Sequence, residues 1–253
     1  MAMDTAIAKM VGQGKLPSCA RLYGWTQPTL SIGRLQKTSV LNLPFLEENR
    51  IPVVRRPTGG RAVLHHDEIT YSFALSKDFD WARKGTLNTY KILARVLLSA
   101  LKKLGVENVS LEKSRTRENL QACYGAPSIY EISVNGRKLV GSAQYRGDTF
   151  VLQHGSIPFT IDIYTYSRCF KSYNLEESIL EKRVITLSEI LKERPSYECI
   201  VKAFKTSIEE VLEVHVDIIY ETPQELRKLV EELKEDFRVF PVNWRDVSSG
   251  RPT

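Results

Sequence analysis

A chain of 253 residues, 42% hydrophobic and 26% charged, is ordinary for a globular protein and long enough for one large α/β core. It has no apolar run near the roughly 20 residues that span a bilayer and no basic-then-apolar leader; its four cysteines show no C-x-x-C spacing, so a cytoplasmic protein with free thiols and no metal is expected. A net charge of +6 suits nucleic acid, anionic lipid or an acidic protein and selects none of them.

In chain order, residues 4–11 put Ile7, Met10 and Val11 on one helical face, and Gly12 and Gly14 stop that helix. Two short strands are predicted over 20–25 and 29–34, joined by a turn at Gln27-Pro28. A strand over 51–56 breaks at Pro57-Thr58-Gly59-Gly60 and resumes over 61–65, and residues 69–75 alternate cleanly between apolar and small or polar side chains. A long helix follows, with Leu93, Leu97, Ala100, Leu101 and Leu104 on one face, Thr86 as its cap and Gly105 as its stop. Residues 129–159 predict an antiparallel meander that turns at Asn135-Gly136, a strong hairpin signal, and again at Gly147-Asp148. Period two puts Lys138, Val140, Ser142 and Gln144 on one face of its middle strand. Beyond residue 170 the pattern is helical. Thr186 and Glu189 form a capping box, an apolar stripe runs from Tyr197 to Leu212, and a last helix starts at Thr222-Pro223 with Leu226, Leu229, Val230 and Leu233 inward. This order of elements predicts a mixed sheet with helices packed on it.

Three segments carry candidate chemistry. In Arg55-Arg56-Pro57-Thr58-Gly59-Gly60-Arg61-Ala62-Val63-Leu64-His65-His66 the paired glycines let a ligand approach the main chain, and the arginines suit a phosphate or a carrier surface. An isolated Gly-Gly is more often a tight turn with solvated arginines. The histidines have no ligand spacing around them and read as structural or substrate-facing. In Gly136-Arg137-Lys138-Leu139-Val140-Gly141-Ser142-Ala143-Gln144 a lysine follows a hairpin turn, and Gly141 and Ala143 leave room for a ligand that His154-Gly155-Ser156 would help enclose. In Gln121-Ala122-Cys123-Tyr124-Gly125-Ala126-Pro127 a cysteine sits in a loop of turn formers, and a nearby lysine cation would favour its thiolate. Cys19, Cys169 and Cys199 have no such context and read as small apolar residues.

Together and in this order, these segments, with Gln153-His154-Gly155-Ser156, Met3-Asp4, Trp25, Ser31-Ile32-Gly33-Arg34 and Gln36, resemble the lipoate–protein ligase A and octanoyltransferase superfamily. The resemblance runs to about residue 215. It implies an acyltransferase catalytic domain over 1–215, with 216–253 as a helical extension packed on the same domain. It also implies an α+β fold: a mixed, largely antiparallel sheet flanked by helices, like the core of biotin ligases and class II synthetases. ATP-dependent ligases of the superfamily carry a third glycine after the pair, where this chain has Arg61. Asp67-Glu68-Ile69-Thr70-Tyr71-Ser72 likewise departs from their pattern. Both features resemble the octanoyltransferases typified by Gram-positive bacteria, whose acyl-carrying cysteine shortly precedes Gly-Arg-Lys.

Carried over, the resemblance makes Cys123 and Lys138 catalytic. Arg56, Gly59, Gly60, Arg61, His65, Gly141, Ala143, Gln144, His154 and Gly155 become substrate-binding. It implies no cofactor, octanoyl-acyl carrier protein as donor, and the glycine-cleavage H protein or a dehydrogenase E2 lipoyl domain as acceptor. The alternatives are an ATP-dependent lipoate ligase, in which Cys123 is incidental, and a basic synthetase-like module that binds nucleic acid. The second lacks any aromatic-and-basic stacking motif.

Overall fold

The computed structural model describes residues 1–113, 121–122 and 130–239. The strands are β1 (Cys19–Tyr23), β2 (Thr29–Ile32), β3 (Val53–Arg55), β4 (Val63–His65), β5 (Glu68–Ser76), β6 (Val109–Lys113), β7 (Tyr130–Val134), β8 (Arg137–Arg146) and β9 (Phe150–Pro158). The helices are α1 (Ala2–Gly12), α2 (Leu43–Glu48), α3 (Asp80–Arg83), α4 (Thr86–Lys103), α5 (Ile163–Arg168), α6 (Tyr173–Arg183), α7 (Leu187–Ile190), α8 (Tyr197–Leu212) and α9 (Gln224–Leu233). Six strands form an antiparallel sheet in the order β1-β5-β9-β8-β7-β6, and a second sheet runs β3-β2-β4 with β2 parallel to β3. The expected mixed, largely antiparallel sheet with flanking helices is therefore present. None of the helices formed by the described residues is long and apolar enough to cross a membrane.

The large sheet buries one face against α4 and α8. Phe73, Val140 and Ile157 meet Leu93, Leu97, Phe204 and Ile208 there. A second cluster lies around the small sheet, where Leu30 and Ile32 of β2 pack with Phe170 and Leu180. A third joins Ile7 and Met10 of α1 to Leu226 and Leu233 of α9. The apolar stripes on α1, α8 and α9 thus find the partners that their periodicity demands.

Several expectations need correcting. Both strands around Gln27-Pro28 are present, in different sheets: β1 pairs with β5, and β2 lies between β3 and β4. Thr86 is the first residue of α4 and Gly85 is its cap, with φ of 95° at the corner between α3 and α4. A side chain there would be strained, so the helix begins without a hydroxyl cap. The cap of α9 is Pro223, with no side-chain hydrogen bond from Thr222. By contrast, the capping box of Thr186 and Glu189 is formed, with the Thr186 N–H donating to Glu189 at 3.0 Å.

The meander holds the most consequential correction. Asn135 and Gly136 both adopt positive φ, 51° and 76°, as a two-residue hairpin turn requires. Just beyond the turn the register slips: Ser133 pairs with Lys138, but Ile132 pairs with Val140. Three residues of β8 oppose two of β7, which is a β-bulge. Leu139 and Val140 are both buried in the large core. The bulge turns Lys138 onto the opposite face from Val140, Ser142 and Gln144, so unbroken period two fails here.

Candidate active site

The sheet face turned away from α4 and α8 is polar. Register places Thr70 opposite Ser156 and Ser72 opposite His154 on β5 and β9, with Gly141 and Ala143 of β8 beside them. The small sheet lies across this face. Between them is a narrow cleft, walled by Ser31 and His65 on one side and by Gly141, Ala143, His154 and Ser156 on the other.

Two hydrogen-bonded chains tie the sheets together across the cleft. In the first, the Glu68 carboxylate is 2.8 Å from His65 Nδ1, and His65 Nε2 is 2.7 Å from Ser31 Oγ. The carboxylate accepts, so His65 Nδ1 carries the proton. Trp25 stacks on the His65 ring with centroids 4.4 Å apart, and its Nε1–H donates to Thr70 Oγ1 at 2.8 Å. Burial pushes Glu68 up, but His65 and hydrogen bonds from Ser156 and Thr70 outweigh it and hold the carboxyl below its ordinary value.

In the second chain, Asp4 of α1 lies 3.3 Å from His154 Nδ1, and His154 Nε2 is 2.7 Å from Thr58 Oγ1 in the glycine loop. Burial depresses His154 despite the hydrogen bond to Asp4 that raises it, which keeps the imidazole neutral at pH 7. A neutral ring with its proton toward Asp4 accepts from the Thr58 hydroxyl. Burial would raise Asp4, yet the His154 hydrogen bond and the Arg21 guanidinium at 2.8 Å hold it far below the carboxylate range.

The glycine loop is built from inside. Arg56, only 4% exposed, donates to the carbonyls of Ser31, Gly59 and Arg61, and Arg55 donates to those of Gly33, Arg34 and Gln36. Both arginines thus brace the backbone of the loop and of the turn beside it. A Cβ on Gly33 would stand 1.9 Å from the Gly60 carbonyl oxygen, and Gly60 has φ of 88°, so both positions need glycine. Gly59 has open space where a Cβ would be.

Lys138, also on the polar face, is 5% exposed and pairs with Glu131 at 3.2 Å, and Glu131 lies 3.8 Å from Arg183 of α6. Cys123 falls outside the described residues, but the two residues before it do not. Ala122 bridges Ala62 in parallel, and the Ala62 N–H donates to the Gln121 carbonyl at 3.0 Å. Gln36 Nε2 donates to the same oxygen at 3.1 Å. The Glu176 carboxylate accepts from the Gln121 N–H at 2.8 Å and from the Ala122 N–H at 3.1 Å.

Of the residues expected to bind substrate, Arg56, His65, Gly141, Ala143, His154 and Gly155 line the cleft. Gly59, Gly60 and Arg61 form the loop beside it. Gln144 lies on the other side of the sheet, where it donates to Gln153 at 2.9 Å. Gly155 serves packing as well, since a Cβ there would stand 2.6 Å from the Tyr71 ring. Sequence reasoning missed the partners: Ser31 and Glu68 for His65, Thr58 and Asp4 for His154, Glu131 for Lys138, and Glu176. Glu131 had a readable pairing signal, because the hairpin turn sets it diagonally across from Lys138. Cys169 and Cys19 are poor nucleophiles by environment: burial pushes Cys169 up to about 12 and raises Cys19. Among the described residues no group of three or more His, Cys, Asp or Glu side chains is placed to hold a metal ion.

Residues 1–209 match the family model for the lipoyl protein ligase A/B catalytic domain. The octanoyltransferase LipM of Exiguobacterium sp. is 37% identical over 223 residues, which are 83% of this chain and 80% of the relative. Among solved structures, a lipoate-protein ligase A bound with ATP superposes with a TM-score of 0.71 at 18% identity, covering 92% of this chain and 89% of the other. A bipartite lipoate protein ligase from Thermoplasma acidophilum, solved in work on that archaeal lipoylation system and its E2 lipoyl domain, gives 0.69 at 18% identity, covering 92% and 87%. These two likenesses concern the fold. With the family model spanning four-fifths of the chain and curated octanoyltransferases aligned along most of its length, the chain belongs to the lipoyl protein ligase A/B catalytic domain family, on its octanoyltransferase branch.

Proposed function

We propose that this octanoyltransferase works by ping-pong transfer through Cys123, taking octanoyl from octanoyl-acyl carrier protein and passing it to a lysine of a lipoate-dependent domain. The observation that carries this reading is the bulge in β8. It turns Lys138 onto the polar sheet face, while Gln121 and Ala122 run beside the strand that leaves the glycine loop. A cation near the thiol favours the thiolate over the neutral form.

In the first half-reaction the Cys123 thiolate attacks the octanoyl carbonyl. The carbon–sulfur bond to the carrier breaks, and the departing thiolate takes up a proton. In the second, the neutral ε-amine of the target lysine attacks the enzyme thioester, an amide forms, the Cys123 thiolate leaves and the amine proton goes to solvent. Main-chain N–H groups near Gly59, Gly60 or Lys138 suit the oxyanion, worth about 3 kcal/mol per donor. Gly141 and Ala143 leave space beside the sheet for the acyl chain, whose seven apolar carbons offer roughly 5–6 kcal/mol on burial. The acceptor is the glycine-cleavage H protein or a dehydrogenase E2 lipoyl domain, and a positively charged enzyme suits acidic carriers.

Intact mass after mixing with octanoyl-acyl carrier protein, with nucleotide removed by apyrase, tests this directly. One octanoyl adduct mapping to the Cys123 peptide is expected. Label only on Cys19, Cys169 or Cys199 sinks the assignment, and strict dependence on ATP and free lipoate replaces it with ligase chemistry.

A further inference from the structure

Helix α6 touches both the two residues that precede Cys123 and the surroundings of Lys138. Near its start, Glu176 accepts the N–H groups of Gln121 and Ala122, one on each carboxylate oxygen, at 2.8 and 3.1 Å. The carboxylate is 1% exposed and also accepts from Ser172 Oγ at 3.2 Å. At its end, Arg183 reaches Glu131, the partner of Lys138. Val184 bridges Lys138 in parallel, and the Ile185 N–H donates to the Lys138 carbonyl at 3.1 Å. Glu176 and Arg183 are seven residues apart, which puts them on one helical face about 10 Å from each other.

A buried carboxylate spent on two successive main-chain N–H groups is an unusual use of charge. Satisfying two amides needs only carbonyls, and those cost no ionic desolvation. The carboxylate offers two acceptors in one plane at a fixed spacing, so it sets the direction of the chain as well as its position. That direction matters because the next residue is Cys123.

We propose that Glu176 is a positioning residue for the acyl-accepting cysteine, with α6 setting the separation between the Cys123 segment and Lys138. The inference rests on the reading of Cys123 as acyl acceptor. It assigns Glu176 no contact with the acyl group: Glu176 holds the peptide that leads into Cys123, and the rest of α6 holds the backbone and counter-ion of Lys138.

The test uses the full chain with octanoyl-acyl carrier protein. Glu176→Gln keeps the shape but turns an NH₂ group toward one of the two N–H groups. Glu176→Asp keeps the charge but withdraws it by roughly 1.5 Å, one carbon–carbon bond. Single-turnover acylation, followed by intact mass, is expected to slow about 10- to 100-fold in both, the range for misplacing a reacting group by about 1 Å. The pH midpoint for alkylation of Cys123 by iodoacetamide is expected to rise, because displacing the Gln121-Ala122 peptide would weaken the influence of the Lys138 cation on the thiol. A merely structural Glu176 would lower the melting temperature and leave both readouts unchanged. Wild-type acylation and an unchanged midpoint, in whichever variant folds, overturn the proposal. An octanoyl adduct on Cys123→Ala overturns instead the acceptor reading, and the two failures are therefore distinct.

Discussion

At the scale of single residues, the site is made from side chains whose partners are fixed by burial. Lys138 is the sharpest case. Its ammonium is held by Glu131 inside the protein, so it is no solvated hairpin residue. If it acts as a cation on the Cys123 thiolate, Lys138→Ala is expected to raise the thiol pKa by about 1–3 units, the effect of losing a close opposite charge. Lys138→Arg keeps the charge in a planar, longer head and is expected to retain part of the low pKa while impairing transfer. The rate of alkylation against pH reports both. Coincident profiles for all three proteins, with the fold intact, would remove Lys138 from the mechanism. Gly155 belongs to the same scale. Its missing Cβ admits the Tyr71 ring, so Gly155→Val is expected to cost about 1–3 kcal/mol in urea unfolding, the penalty of overpacking.

At the scale of elements, the two imidazole chains do what apolar packing cannot do across a polar cleft: they fix one sheet on the other through directed hydrogen bonds. The Asp4–His154–Thr58 chain joins α1, β9 and the glycine loop, and its histidine gives it a pH dependence. An unfolded imidazole takes its proton near pH 6.5, whereas burial keeps the folded His154 below that. Between the two values the unfolded chain binds more protons, so this stabilisation is complete above pH 6.5 and is lost as pH falls toward the folded value. Wild-type stability is therefore expected to drop between about pH 7.5 and pH 5.5. His154→Gln is expected to be less stable at the upper pH and to show a shallower slope. Parallel slopes in urea titrations would place the pH dependence elsewhere. Asp4 behaves in the same sense but acts only below about pH 4, where an unfolded aspartate protonates.

At the scale of the whole molecule, the polar sheet face depends on elements remote from it in sequence. Helix α9 covers the outer side of α1, the helix that supplies Asp4, and buries Leu226 and Leu233 there. We propose that residues 216–253, of which 240–253 lie outside the described residues, belong to the same folding unit as 1–215. Leu226→Ala is then expected to lower stability by about 2–4 kcal/mol, as for other buried leucines cut to alanine, in a single cooperative transition. Two separate transitions in calorimetry would instead make the tail an independent unit.

What the sequence determined by itself is whatever depends on neighbours along the chain. The meander of β7, β8 and β9, the Asn135-Gly136 turn, the Thr186–Glu189 box and the apolar faces of α1, α8 and α9 all follow from local backbone preference and periodicity. The order of the Gly59-Gly60, Cys123 and Lys138 segments was enough to name a family. Only the tertiary structure decided the rest. It sent β1 and β2 into different sheets, because β2, buried on both faces, takes its partners from all the chain that can reach it. It turned Arg55 and Arg56 inward, because a glycine loop with free carbonyls needs donors wherever water is excluded. It moved Lys138 to the other face of β8, since one extra residue in a ladder inverts every side chain beyond it. And it brought Glu176 to the peptide before Cys123, a contact across 54 residues that no spacing in the sequence encodes.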